Sequence, residues 1–98
     1  MIKRSEVEKV RREYYKNFTA EEIQKLEKHR KERQLYAKHQ GKTEEEILTY
    51  DLKDILVRLY SIYVDKKNKS EAEKIRTRLI KEFQTDPEEP EIFDIHEF

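Results

Sequence analysis

The stretch TEEEILTYDLKDILVRLYSIYVD, residues 43–65, decides the fold because it predicts one long, buried α-helix. Its apolar residues recur at alternating spacings of four and three, the pattern of a helical seam. This seam consists of Leu48, Leu52, Ile55, Leu59 and Ile62. A second stripe of Leu56, Tyr60 and Tyr63 lies beside it. Because a helix this apolar must be covered on more than one side, we expect the other segments to pack around it.

Four helix starts are predicted by a Ser or Thr that is followed three residues later by Glu, the capping-box pattern. The pairs are Ser5 with Glu8, Thr19 with Glu22, Thr43 with Glu46, and Ser70 with Glu73. Helices are therefore expected at about 6–17, 20–40, 44–65 and 71–84. Gly41 follows the second helix, where a left-handed residue is wanted. The predicted fold is all-α, a bundle of three or four helices in residues 1–84.

The second predicted helix differs from the others because its middle, EKHRKERQ at residues 27–34, contains no apolar residue. Leu35, Tyr36 and Ala37 then resume an apolar stripe. A helix without a continuous apolar face cannot be packed deeply along its length. We expect its middle to project into solvent or to face a charged partner.

Composition limits the class of protein. Charged residues make up 45% of the 98-residue chain, against roughly 25% in an average domain. Leu, Ile, Val and Phe still form about a quarter of it, which favours a folded body with a small core. The absence of cysteine excludes disulfides and thiolate catalysis. The first ten residues lack the apolar run of a signal peptide, and no stretch is long enough to span a membrane, so we expect a cytoplasmic protein.

The zero net charge hides an uneven distribution, since the six acidic residues from Thr85 onward balance an equal basic excess in residues 1–84. This basic excess suggests a nucleic-acid-binding regulator as an alternative function, using the first two helices. Its candidate residues are Arg11, Arg12, Lys28, Arg30, Lys31 and Arg33. An ordinary solvated face, with acidic residues interspersed, explains the same charges.

The C-terminal extension, residues 85–98, is acidic and also apolar. Its apolar residues are Ile92, Phe93, Ile95 and Phe98. It is interpreted as a segment that folds back on the basic helices, as a linear motif that docks on a partner, as a mimic of nucleic acid, or as plain disorder. As a mimic or a cover, it would inhibit nucleic-acid binding by its own chain.

Catalytic chemistry is not predicted. His29, His39 and His96 lack the spacing of metal ligands, and a single glycine excludes glycine-rich phosphate loops. We therefore expect no enzyme activity, no metal and no cofactor. The predicted function is that of a small regulatory or inhibitory module that binds another protein, with homodimerisation left open. Candidate contacts are the four apolar residues of the extension together with Arg30, Arg33 and Tyr36.

Overall fold

The computed structural model describes residues 2–88, and within that range the chain forms four α-helices and no strand. These are α1 (Arg4–Tyr15), α2 (Ala20–His39), α3 (Glu44–Asp65) and α4 (Lys69–Phe83). The all-α fold class predicted from the sequence is confirmed. The bounds of α3 agree with the prediction, whereas α1 and α4 each begin two residues earlier than expected.

Two of the four predicted capping boxes form. At the start of α2, the Glu22 N–H donates to Thr19 Oγ1 at 3.2 Å, and the Thr19 N–H donates to a Glu22 carboxylate oxygen at 2.9 Å. Thr43 and Glu46 repeat this arrangement at the start of α3, at 3.1 and 3.0 Å. Each box satisfies N–H groups that the first helical turn leaves without partners.

The capping boxes predicted at Ser5 and Ser70 are wrong. Helical hydrogen bonding in α1 already begins at the Lys3 carbonyl, which places Ser5 inside the first turn, where it is no longer the cap. In α4 the cap is Asn68, whose side-chain oxygen accepts from the Glu71 N–H at 3.3 Å. A serine in the capping pattern therefore fails when an earlier residue already holds the cap position.

Helix α2 ends at the glycine that the sequence predicted to be left-handed. Gly41 has a φ of +81°, and its N–H donates to the Lys38 carbonyl at 3.0 Å. The Lys42 N–H donates to the Ala37 carbonyl, also at 3.0 Å. This pair of hydrogen bonds is the Schellman motif, which closes the last turn and satisfies two carbonyls of the helix end.

The same motif ends α3 without a glycine. Lys67 is left-handed with a φ of 59°, and its N–H donates to the Val64 carbonyl at 3.0 Å. The Asn68 N–H donates to the Tyr63 carbonyl at 2.8 Å. One residue, Asn68, therefore closes α3 with its backbone and caps α4 with its side chain.

Helix α3 contributes most of the buried side chains among the described residues. They are Ile47, Asp51, Leu52, Ile55, Leu56, Leu59 and Tyr60. The predicted seam is buried in its middle but only half-buried at its ends, Leu48 and Ile62. Leu56 and Tyr60 of the second stripe are buried as well, so α3 is covered on more than one side as predicted. Full burial of a leucine side chain stabilises the fold by roughly 1.5–3 kcal/mol.

Helix α2 contains no buried residue, which confirms that it is not packed deeply. The apolar stripe expected at its end does not face a core. Leu35 is 60% exposed and Tyr36 is 68% exposed. Only Ala37 of that group is half-buried. Two large side chains of α2 are therefore left in solvent.

The chain divides into two compact units, and the division falls after Arg58, within α3. The first unit contains α1, α2 and the first part of α3. The second contains the remainder of α3, α4 and the segment that follows it. None of the helices in residues 2–88 is both long enough and apolar enough to cross a membrane.

In the second unit, the segment after α4 folds back against that helix. Arg76 donates from Nε and Nη2 to the two carboxylate oxygens of Asp86, at 3.1 and 2.9 Å. The Tyr60 hydroxyl donates to the Glu88 carboxylate at 2.6 Å. This hydrogen bond is the main reason that the pKa of Tyr60 is raised to about 12. The first carboxylates of the predicted acidic extension therefore contact α3 and α4.

Candidate functional site

Four arginines from three helices line one cleft of about 250 Å³ in the first unit. They are Arg11 of α1, Arg30 and Arg33 of α2, and Arg58 of α3. We call this the arginine cleft. Three of the four were candidates for nucleic-acid binding from the sequence, and the fold brings those three together.

A hydrogen-bonded group from α1 and α2 holds Arg30 in place. Its Nε and Nη2 donate to the two carboxylate oxygens of Glu27, at 2.6 and 3.1 Å. The Tyr15 hydroxyl donates to the same carboxylate at 2.6 Å. The hydrogen bond from Arg30, and to a lesser extent that from Tyr15, lowers the pKa of Glu27 to about 2. Partial burial and the hydrogen bond to Glu27 raise the pKa of Tyr15 to about 12. Glu27 is therefore a carboxylate at neutral pH and fixes the Arg30 guanidinium.

Asp51 is the buried carboxylate of the cleft, with a side chain that is 5% exposed. It accepts a hydrogen bond from Gln34 Nε2 at 3.1 Å and lies 3.9 Å from Nη2 of Arg11. The Arg11 side chain is itself only 12% exposed. Its Nε is buried and has no hydrogen-bond partner among the described residues. A buried donor without a partner costs roughly 1–3 kcal/mol, so this atom calls for an acceptor.

The charges of the cleft do not balance. Arg58 donates to Asp54 at 3.1 Å, and the charge of Asp54 is the main reason that the pKa of Arg58 is raised. Arg30 is neutralised by Glu27 in the same way. Asp51 offsets Arg11, whereas Arg33 makes no ion pair or hydrogen bond with any residue between 2 and 88. The surplus positive charge is therefore that of Arg33.

A second and larger depression, of about 1030 Å³, lies between the end of α2 and the start of α3. We call it the α2–α3 groove. Tyr36 and Ala37 line it from α2, and Ile47 and Tyr50 line it from α3. Tyr36 and Tyr50 are 68% and 62% exposed, so two large aromatic rings face solvent in one groove. Amphipathic rings of this kind are typical of binding surfaces.

The remaining lining of the groove includes charges of both signs. The acidic residues are Glu32, Glu45, Glu46 and Asp51, and the basic residues are Arg33, Lys42 and Lys53. Arg33 and Asp51 line the arginine cleft as well, so the two depressions are neighbours on the same unit. Of the residues predicted to bind a protein partner, the groove therefore contains Arg33 and Tyr36 but not Arg30.

The other predicted residues do not join either depression. Arg12, Lys28 and Lys31 are exposed, and none of them lines the cleft or the groove. Ile92, Phe93, Ile95 and Phe98 lie outside the described residues. The basic candidates thus divide into a recessed set, with Arg11 and Arg30, and an exposed set.

Sequence reasoning missed Asp51 and Arg58 because the middle of α3 was interpreted as an apolar rod. Asp51 carried a usable signal, since it stands between apolar residues on a predicted buried helix. A buried carboxylate in that position needs a donor, and a nearby arginine is the common solution. Tyr50, as a tyrosine on the same helix, suits a core edge or an interface, and the sequence leaves both open because its exposure depends on how α2 and α3 pack.

Within residues 2–88, no group of three or more His, Cys, Asp or Glu side chains is placed to hold a metal ion. What the two depressions offer is recognition: guanidinium donors in the cleft, and aromatic and alkyl contact area in the groove. No known protein family, curated protein or solved structure matches this chain.

Proposed function

We propose that this chain is a small, non-enzymatic regulatory or inhibitory module that acts by binding another protein through the α2–α3 groove. The observation that carries the proposal is the exposure of Tyr36 and Tyr50 on facing sides of that groove. Aromatic residues in the centre of an interface contribute a large share of binding energy.

The proposed occupant is an amphipathic helix of the partner protein. The α3 wall of the groove runs from Glu45 to Lys53, which is about 12 Å at the rise of an α-helix. Apolar side chains at positions i, i+4 and i+7 of a bound helix span nearly the same length. The charges of both signs that flank the groove favour a helix whose polar face also carries both signs.

Site-specific photo-crosslinking in cells tests this proposal. A benzoylphenylalanine at position 36 should capture one protein partner, whereas the same group at position 80 should not. Ile80 is the matched control because it is an exposed apolar residue, 42% accessible, that does not line the groove. Equal capture from both positions would refute the groove as the binding surface. If only a second copy of this chain is captured, the groove mediates homodimerisation and does not bind a different protein.

Affinity measurements with the captured protein then test the aromatic anchors. Tyr36→Ala and Tyr50→Ala should each weaken binding by about tenfold or more, as expected for interface tyrosines. Ile80→Ala should change the affinity by less than about twofold. Unchanged affinity of both tyrosine variants would contradict the proposal. A cytoplasmic location is part of the same proposal and is tested by fractionation of cells that produce the chain.

The alternative function, a nucleic-acid-binding regulator, is supported by the exposed Arg12, Lys28 and Lys31 on α1 and α2. It is weakened by the engagement of Arg30 with Glu27 and of Arg11 with Asp51. Titration of labelled DNA and RNA at two salt concentrations tests it. Binding that falls steeply with salt would favour this alternative, and no binding at low salt would eliminate it.

A further inference from the structure

We propose that the arginine cleft is a binding site for the phosphate group of a phosphomonoester. The donors of the cleft suit an anion, because four guanidiniums line it and a guanidinium carries five N–H groups in a plane that matches phosphate oxygens. Glu27 accepts from two nitrogens of Arg30 and Asp54 from one of Arg58, which leaves the other donors for a ligand. It lies outside the surface that carries the proposed protein-binding function, apart from Arg33 and Asp51, which line both depressions.

The strongest observation is the unsatisfied Nε of Arg11. This donor is buried, belongs to a residue that lines the cleft, and has no hydrogen-bond partner among residues 2–88. Its nearest carboxylate, Asp51, lies 3.9 Å from Nη2 and accepts instead from Gln34. An oxygen acceptor bound in the cleft would supply the missing partner.

A second observation is the charge of Arg33. The two arginines beside it, Arg30 and Arg58, are held by Glu27 and Asp54, which orients them before any ligand arrives. Arg33 has no acidic partner in the described chain and is exposed at the cleft. The site therefore combines fixed guanidiniums with one uncompensated positive charge, which is what a bound anion requires.

The depth of the cleft favours a terminal phosphate over the backbone of a nucleic acid. The side chains of Arg11 and Arg30 are only 12% and 18% exposed. A phosphodiester is flanked by sugars on both sides, which hinders its approach to guanidiniums recessed in a cleft of about 250 Å³. A phosphomonoester is attached through one ester oxygen and presents three oxygens to the donors.

Titration of the full chain followed by amide and arginine Nε–H NMR signals tests the site. The probes are inorganic phosphate, phenyl phosphate, and a dinucleotide with either a 5′-phosphate or a 5′-hydroxyl. We expect millimolar or tighter binding of phenyl phosphate, with the Arg11 Nε–H signal among those that shift. We expect the 5′-phosphorylated dinucleotide to bind and the 5′-hydroxyl form, which keeps its phosphodiester, not to bind.

Two variants separate this site from general attraction of anions. Arg33→Gln removes the surplus charge without breaking any ion pair in the described chain, and it should weaken phenyl phosphate binding about tenfold. Arg12→Gln, the control, removes a charge of α1 that is also exposed but does not line the cleft, and it should weaken binding by less than about twofold.

Three results would overturn the proposal. The first is no binding of any probe at millimolar concentration, which would mean that the Arg11 Nε–H is hydrogen-bonded to water. The second is equal weakening by the two variants, which would mean attraction by net charge alone. The third is equal binding of the two dinucleotides, which would mean recognition of the phosphodiester. Inorganic phosphate that binds as well as phenyl phosphate would identify the free anion as the source, and tighter phenyl phosphate binding would identify an esterified ligand.

Discussion

The pairing of Arg11 with Asp51 leads to the most informative prediction about stability. At a separation of 3.9 Å and an effective dielectric constant of about 20, the Coulomb attraction is about 4 kcal/mol. Asp51 is buried and the Arg11 side chain is only 12% exposed, so much of this attraction offsets the cost of removing the two charges from water. Replacement of one partner leaves the other as an uncompensated buried charge. We expect Arg11→Met and Asp51→Leu each to lower the free energy of unfolding by about 3 kcal/mol or more.

The double variant, Arg11→Met with Asp51→Leu, should be more stable than either single variant. It removes both desolvation costs and also the unsatisfied Nε of Arg11. Gln34 then loses its acceptor, but it is only half-buried and can bond to water, which limits that loss to about 1 kcal/mol.

Urea unfolding followed by far-ultraviolet circular dichroism measures all four chains. A single variant that fails to fold in buffer can be compared with the others in a stabilising osmolyte at one fixed concentration. The result that would refute the reasoning is additivity. If the double variant loses the sum of the two single losses, the two side chains are not coupled and the buried pair does not exist in solution.

The remaining predictions concern helix ends and the carboxylate of Glu27. Thr19→Ala removes a formed capping box and should lower the free energy of unfolding by about 1 kcal/mol, whereas Ser5→Ala, at a box that does not form, should leave the urea midpoint unchanged. Gly41→Ala should cost about 1 kcal/mol from its φ of +81° alone, because a Cβ there meets no atom within 4 Å; a larger loss would reveal a contact at that position. Glu27→Gln should flatten the dependence of stability on pH between 4.5 and about 2. The Glu27 carboxylate stabilises the fold at pH values above its pKa in the unfolded chain, and this contribution is lost as the pH falls through its lower pKa in the folded chain. The same variant should lower the pKa of Tyr15 from about 12 but leave it raised, because burial, its largest cause, remains; an unchanged spectrophotometric titration would contradict the interaction with the Glu27 carboxylate.

Local signals predicted the helices well because each rested on a few neighbouring residues. Thr19 and Thr43 begin helices since nothing before them competes for the cap position. Gly41 ends α2 because only glycine adopts its backbone conformation without strain. Ser70 failed because the turn that leaves α3 had already placed Asn68 as the cap.

Packing was predicted less completely, because a periodic pattern does not say which side of an apolar helix meets a neighbour. Leu35 and Tyr36 are exposed because the last turns of α2 direct these side chains into solvent. The identities of residues 35–37 alone do not determine that direction. The burial of Asp51 likewise depends on Arg11 and Gln34, which are distant in the sequence. Sequence reasoning found the recessed arginines of α1 and α2 as charges but could not predict that they share a cleft with α3.

The joint between α3 and α4 fixes the spacing of the hairpin. Asn68 is bound at three points: its N–H to Tyr63, its side chain to Glu71, and its carbonyl to the N–H of Ala72 at 3.1 Å. One inserted or deleted residue would turn α4 by about 100° about its axis and carry Ala72 and Leu79 away from the positions in which they are buried. We therefore expect insertion or deletion of one residue within 66–69 to destabilise the fold more than substitution of Lys66.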